Sequence, residues 1–121
     1  MPNIFLMPQP SKPKNDPQWY ERPDGTCKFE NPTLINMGDD RPPNLFFPVQ
    51  ASEALSVLAK AKYIANELDA LLVLLLYGEI ADLEMASLIL ELADSRVLPL
   101  WVGEKNRSKF DRIVAILSCK G

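Results

Sequence analysis

The sequence predicts an α/β fold, and three observations carry that prediction. Residues 70–76 are an unbroken apolar run ended by Tyr77 and Gly78, which suits a parallel strand buried on both faces. Residues 96–102, "RVLPLWV", are short, apolar and interrupted by a proline, which favours a strand over a helix. Around and between these runs the apolar spacing is helical. A strand cannot stand alone, so the two runs need partners. Helix, strand, helix, strand, helix over residues 50–119 then makes a right-handed parallel unit. The competing reading continues a helix through Leu72, Leu75 and Leu76, since leucine is a good helix former.

The elements follow in order. Ten of the eleven prolines lie in residues 1–48, which argues against long helices there. Short apolar runs in this half read as strands: residues 4–7, with 4–6 central in the sheet, residues 27–29 and residues 45–47. "RPDGT" at 22–26 carries turn chemistry, and "PKNDPQ" and "MGDDRPPN" read as exposed loops. Residues 49–121 form the second half. Ser52 is a candidate N-cap for a helix spaced through Leu55, Leu58, Ile64, Ala65 and Leu68. Residues 82–94 are helical again, with Leu83, Ala86, Leu90 and Ala93 on one face and Met85, Ile89 and Leu92 beside it. "GEKN" at 103–106 reads as a turn, and residues 107–117 as a last helix through Phe110, Ile113, Val114 and Leu117. The whole is expected to be a single flavodoxin- or Rossmann-like domain. Its parallel sheet would have four or five strands, with helices on both faces.

Composition narrows the functions. The chain has 121 residues, enough for one domain with a real core, and a net charge of −3 that attracts neither nucleic acid nor an anionic membrane. The run at 3–7 is too short for a secretory signal and 70–76 too short for a membrane span, so a cytoplasmic location is expected. The two cysteines, Cys27 and Cys119, are far apart without metal-ligand spacing and are expected to be thiols. There is no histidine, so Ser-His-Asp, Cys-His and histidine–zinc sites cannot be built from this chain alone. Neither a metal nor a cofactor is expected. Catalysis, if present, must use carboxylates, Tyr, Lys or Cys.

Ligands of an open parallel sheet bind beyond the carboxyl ends of its strands. "YGEIADLE" is such an end, and it gathers Tyr77, Glu79, Asp82 and Glu84 between a strand and a helix start. Acids are also favoured in a helix's first turn by the macrodipole, which accounts for Asp82 and Glu84 without any function. Lys105, Arg107, Lys109 and Arg112 form a basic cluster that reads as a solvated helix face, with phosphate contact as the alternative. Trp19 and Tyr20 either cap the core or cover a pocket.

The order of parts resembles the nucleoside 2-deoxyribosyltransferase-like family. Members open with a strand of the type I-[FY]-L-A-G, often followed by a Trp. A second strand ends near an Asn-Pro, and a helix runs into a strand led by Asp. A polar loop then precedes a Leu-Glu-Leu helix start. Here the counterparts are "NIFLM", Trp19, "FENP" at 29–32, "ELDALLVLLL", "GEIADLEMA" and "VLPLWV". The resemblance implies an enzyme of the N-glycosidic bond, a transferase or hydrolase, acting on a small nucleoside or nucleotide. It places the nucleophile at Glu84, a second acid at Glu79 or Asp82, and substrate contacts at Phe5, Met7, Trp19 and Tyr77. The chemistry is coherent, because a carboxylate stabilises and then captures an oxocarbenium-like centre while a second acid serves the leaving base. A homodimer is expected from the same resemblance. The alternative is a catalytically silent nucleotide-binding or protein-interaction domain of the same fold, and a small helical adaptor is the third reading.

Overall fold

The computed structural model describes residues 17–36, 38, 40–93 and 95–119. Its elements are β1 (Thr33–Ile35), β2 (Asn44–Gln50), a 3-10 turn (Ala51–Glu53), α1 (Ala54–Glu67), β3 (Leu71–Tyr77), α2 (Asp82–Ala93), β4 (Leu98–Trp101) and α3 (Glu104–Cys119). Among the described residues they form one open four-stranded sheet in the order β1-β2-β3-β4. The β2–β3 and β3–β4 pairs are parallel, and β1 is antiparallel to β2. The fold is therefore α/β, with a mostly parallel, mixed sheet consistent with a Rossmann-like architecture. Residues 70–76 are the inner strand and not a helix. Leu72 to Leu76 are all buried, as continuous apolarity requires of a strand covered on both faces.

Register and prolines agree. Leu71 donates its N–H to the Pro43 carbonyl, so odd-numbered residues of β2 turn their backbone groups toward β3 and even-numbered ones toward β1. Pro48 is even-numbered and lies beyond Phe46, the last β2 residue that β1 pairs, so its missing N–H faces no strand among the described residues. The Val102 N–H meets the Leu76 carbonyl, which turns Pro99 to the outer edge of β4. A proline there costs no ladder bond and discourages a further strand.

The described helices all pack on one face of the sheet. Leu58, Ala61 and Ala65 of α1, Met85, Leu88 and Leu92 of α2, and Ile113 of α3 all join one cluster with Leu45, Val49, Leu72, Leu74, Leu76 and Trp101. Two right-handed crossovers stepping the same way along a sheet leave both helices on one face. The opposite face, with Phe46, Val73 and Leu75, is covered by Tyr20 and Cys27 of the segment before β1.

Several local expectations are corrected. Residues 27–29 do not form a strand; Cys27 makes a single bridge to Glu21 across the 22–26 turn. Ser52 is not an N-cap, because the chain enters α1 through the 3-10 turn and Glu53 stands at the cap without a side-chain bond. Residues 104–106 are already the first turn of α3. In α2 the buried stripe is Met85, Leu88 and Leu92, while Leu83 and Leu90 are exposed. Both stripes have helical spacing, and packing against the sheet chose between them. No sequence signal marks the short strand β1, and the expected loop at 37–44 gives way to β2 at Asn44. The expected strand at 4–7 lies outside the described residues. Cys27 is a buried free thiol and Cys119 an exposed one. Among the described residues, no helix is long and apolar enough to cross a membrane.

Candidate functional site

The carboxyl ends of β3 and β4 lie side by side and open into loops 78–81 and 102–103. Gly78 takes a left-handed φ of 84°, which turns the chain out of β3. Asn106, in the first turn of α3 and 6 % exposed, reaches back to both loops. Its Nδ2 donates to the Gly78 carbonyl at 2.9 Å and the Val102 carbonyl at 3.2 Å. One buried amide thus ties the two strand ends together.

Beside that tie is a cavity of about 310 Å³ lined by Glu79, Ile80, Ala81, Glu84, Lys105, Asn106 and Lys109. Its size is near the lower end for small-molecule pockets. Lys109 donates to the Ile80 carbonyl and lies 3.6 Å from the Asp82 carboxylate. Arg112 adds a second contact to Asp82 at 3.2 Å. Asp82 is therefore occupied by two cations of α3 and holds the start of α2 against that helix. This role is structural, and exposure of the pair keeps its worth small.

Glu84 is exposed at the third position of α2. Its Oε1 accepts the Ala81 N–H at 3.4 Å, while the Ala81 carbonyl receives the Met85 N–H at 2.9 Å. Ala81 is thus the N-cap, and Glu84 makes the return half of a capping box. At 3.4 Å that bond is long, so the carboxylate remains accessible from the cavity. Glu79 and Lys105 hold no hydrogen bond or ion pair among the described residues.

The sequence-predicted residues thus divide into three groups. Glu79 and Glu84 share the cavity, with Asp82 at its margin in an ion pair. Tyr77 alternates onto the other face of the sheet with Val73 and Leu75. Trp19 is on that face too, edge-on to Tyr20, Phe29 and Phe46 with ring centroids 5.4, 6.3 and 5.5 Å away. Phe5 and Met7 lie outside the described residues. The residues that sequence reasoning missed are Asn106 and Glu21. Glu21 accepts the Gly103 N–H at 2.6 Å and pairs with Arg107, which anchors the 17–30 segment to the β4–α3 loop. Nothing local marks either residue, since the ties to Gly78 for Asn106 and to Gly103 and Arg107 for Glu21 join parts distant in sequence.

A larger cavity, about 460 Å³, lies at the other end of the sheet and is lined by Lys62, Asn66, Asp69, Ser95 and Arg96 among others. It sits where α1 and α2 end, and cations beside helix carboxyl ends have an ordinary electrostatic role there. The smaller cavity has the stronger claim as a ligand site because it lies beyond the carboxyl ends of parallel strands. Compared with protein-family models, curated proteins and solved structures, the chain gives no match.

Proposed function

We propose that this protein binds a nucleoside or nucleotide in the cavity between the β3–α2 loop and the start of α3. One observation carries the reading: Glu79, Glu84 and Lys105 line a single cavity beyond the carboxyl ends of two parallel strands. Carboxylates there accept hydrogen bonds from sugar hydroxyls and exocyclic amines, and lysine meets an anionic group. Asn106 fixes the floor by locking both loops. Isothermal titration with deoxynucleosides and their 5′-monophosphates tests it. Binding that weakens at least about tenfold in Glu79→Gln supports the site, because one charge-assisted hydrogen bond is worth about that much. Absence of binding by any nucleoside or nucleotide would remove the proposal.

A second reading, cleavage or transfer at the N-glycosidic bond, is favoured by the pairing of Glu79 and Glu84 in that cavity. Glu84 would be the nucleophile and Glu79 the group that serves the leaving base. Glu84→Gln then abolishes base release yet changes stability by less than about 1 kcal/mol, the scale of a first-turn acid. Binding without base release leaves the first reading alone.

A further inference from the structure

We propose that the ligand of this cavity carries a phosphate held by Lys105, so that the site prefers a nucleoside monophosphate to the free nucleoside. This rests on the nucleotide-site reading and narrows it. Lys105 occupies the first turn of α3, where the helix macrodipole is positive and a cation is disfavoured. Lys109 stands one turn further on the same side and adds like-charge repulsion. Lys109 is compensated by Asp82 and the Ile80 carbonyl. Lys105 is not: among the described residues no carboxylate comes within ion-pair distance of it, although Glu79 and Glu84 line the same cavity.

A lysine set against its local field and without a partner among the described residues breaks a local rule, and such breaks mark functional positions. An anion from outside supplies the missing partner. Lys105 also lines a second cavity of about 310 Å³ with Glu21, Gly25, Gly103 and Glu104. Lys105 thus lines two openings, each large enough to admit part of a ligand.

The test compares a deoxynucleoside, its 5′-monophosphate and inorganic phosphate by isothermal titration on the full chain and on Lys105→Met. The monophosphate is expected to bind about tenfold or more tightly than the nucleoside, the scale of one charge-assisted contact. That preference should collapse to near parity in Lys105→Met, through loss of monophosphate affinity. Circular dichroism confirms that the variant is folded, as an exposed side chain predicts. Equal affinity of the unaltered protein for nucleoside and monophosphate overturns the inference and leaves the nucleotide-site reading intact. So does a preference that survives in Lys105→Met. Inorganic phosphate binding as tightly as the monophosphate overturns it as well, because the site would then recognise the anion alone. If none of the three binds, both the inference and the reading beneath it fall.

Discussion

The two faces of the sheet are built by different means. On one, three helices set apolar stripes against Leu72, Leu74 and Leu76 in a single cluster. On the other, a segment without regular structure lies over Phe46, Val73 and Leu75. Among the described residues, that segment is held by individual side-chain contacts, several of them spanning most of the chain. The Tyr20 hydroxyl donates to the Trp101 carbonyl at 3.0 Å across 81 residues. Glu21, buried, receives Gly103 N–H and Arg107. Phe29 stacks on Phe46 with centroids 5.2 Å apart. Helices satisfy their own backbone and contribute burial repeatedly, so no single contact decides that face. An irregular segment must find partners for its polar groups elsewhere, so one buried carboxylate decides a great deal.

The largest expected effect is on the helix face. Leu88→Ala empties a site only 1 % exposed and should cost about 2–5 kcal/mol in urea unfolding, with an unchanged m value. A loss under about 1 kcal/mol would mean that α2 does not pack as described. Glu21→Gln comes next. It keeps the side chain's size but removes the charge facing Arg107, and should cost about 1.5–3 kcal/mol. Hydrogen exchange sharpens the contrast. In this variant amides of residues 18–28 should lose protection while those of β3 keep theirs. Uniform loss across the sheet would show that the two faces unfold as one unit.

The smallest effect is alkaline. Burial pushes the Tyr20 hydroxyl and the Cys27 thiol above their ordinary values of 10.0 and 9.0. Each therefore holds its proton more tightly folded than unfolded, and stability falls as pH rises through those values. Thermal melts should be flat from about pH 7 to 8 and decline above about pH 9, in step with those ordinary thiol and phenol ranges. Tyr20→Phe should lose the Trp101 hydrogen bond but blunt the decline above about pH 10. An unaltered decline in Tyr20→Phe with Cys27→Ala would assign the alkaline loss to other groups.

The same contrast explains what was legible in the chain. Residues 71–77 announce a buried strand because every residue is apolar, and 98–101 are recognisable from a short apolar run with a proline. β1 was missed because three residues between Pro32 and Asn36 carry too little periodicity to register. Glu79 and Glu84 were legible as acids at a strand end, and they do share a cavity. Lys105 was visible only as part of a basic cluster, and its lack of a partner among the described residues appears only in three dimensions. Trp19 and Tyr77 looked like companions of those acids, yet strand alternation and aromatic packing carry them to the opposite face.

By itself the sequence determined the α/β class, the inner strand, the last three helices and the acid-bearing loop, because periodicity and apolar run length are local properties. Tertiary structure decided which stripe of α2 is buried, since Leu83–Leu90 and Met85–Leu88–Leu92 both satisfy helical spacing and only the sheet tells them apart. It decided that the helices share one face, which follows from strand order. It also decided the roles of Asn106 and Glu21. A polar side chain at a helix start and a carboxylate in a loop are ordinary until residues 28 to 86 positions away bring a carbonyl, an N–H and a guanidinium within reach. Long-range hydrogen bonds of that kind leave no trace in local pattern.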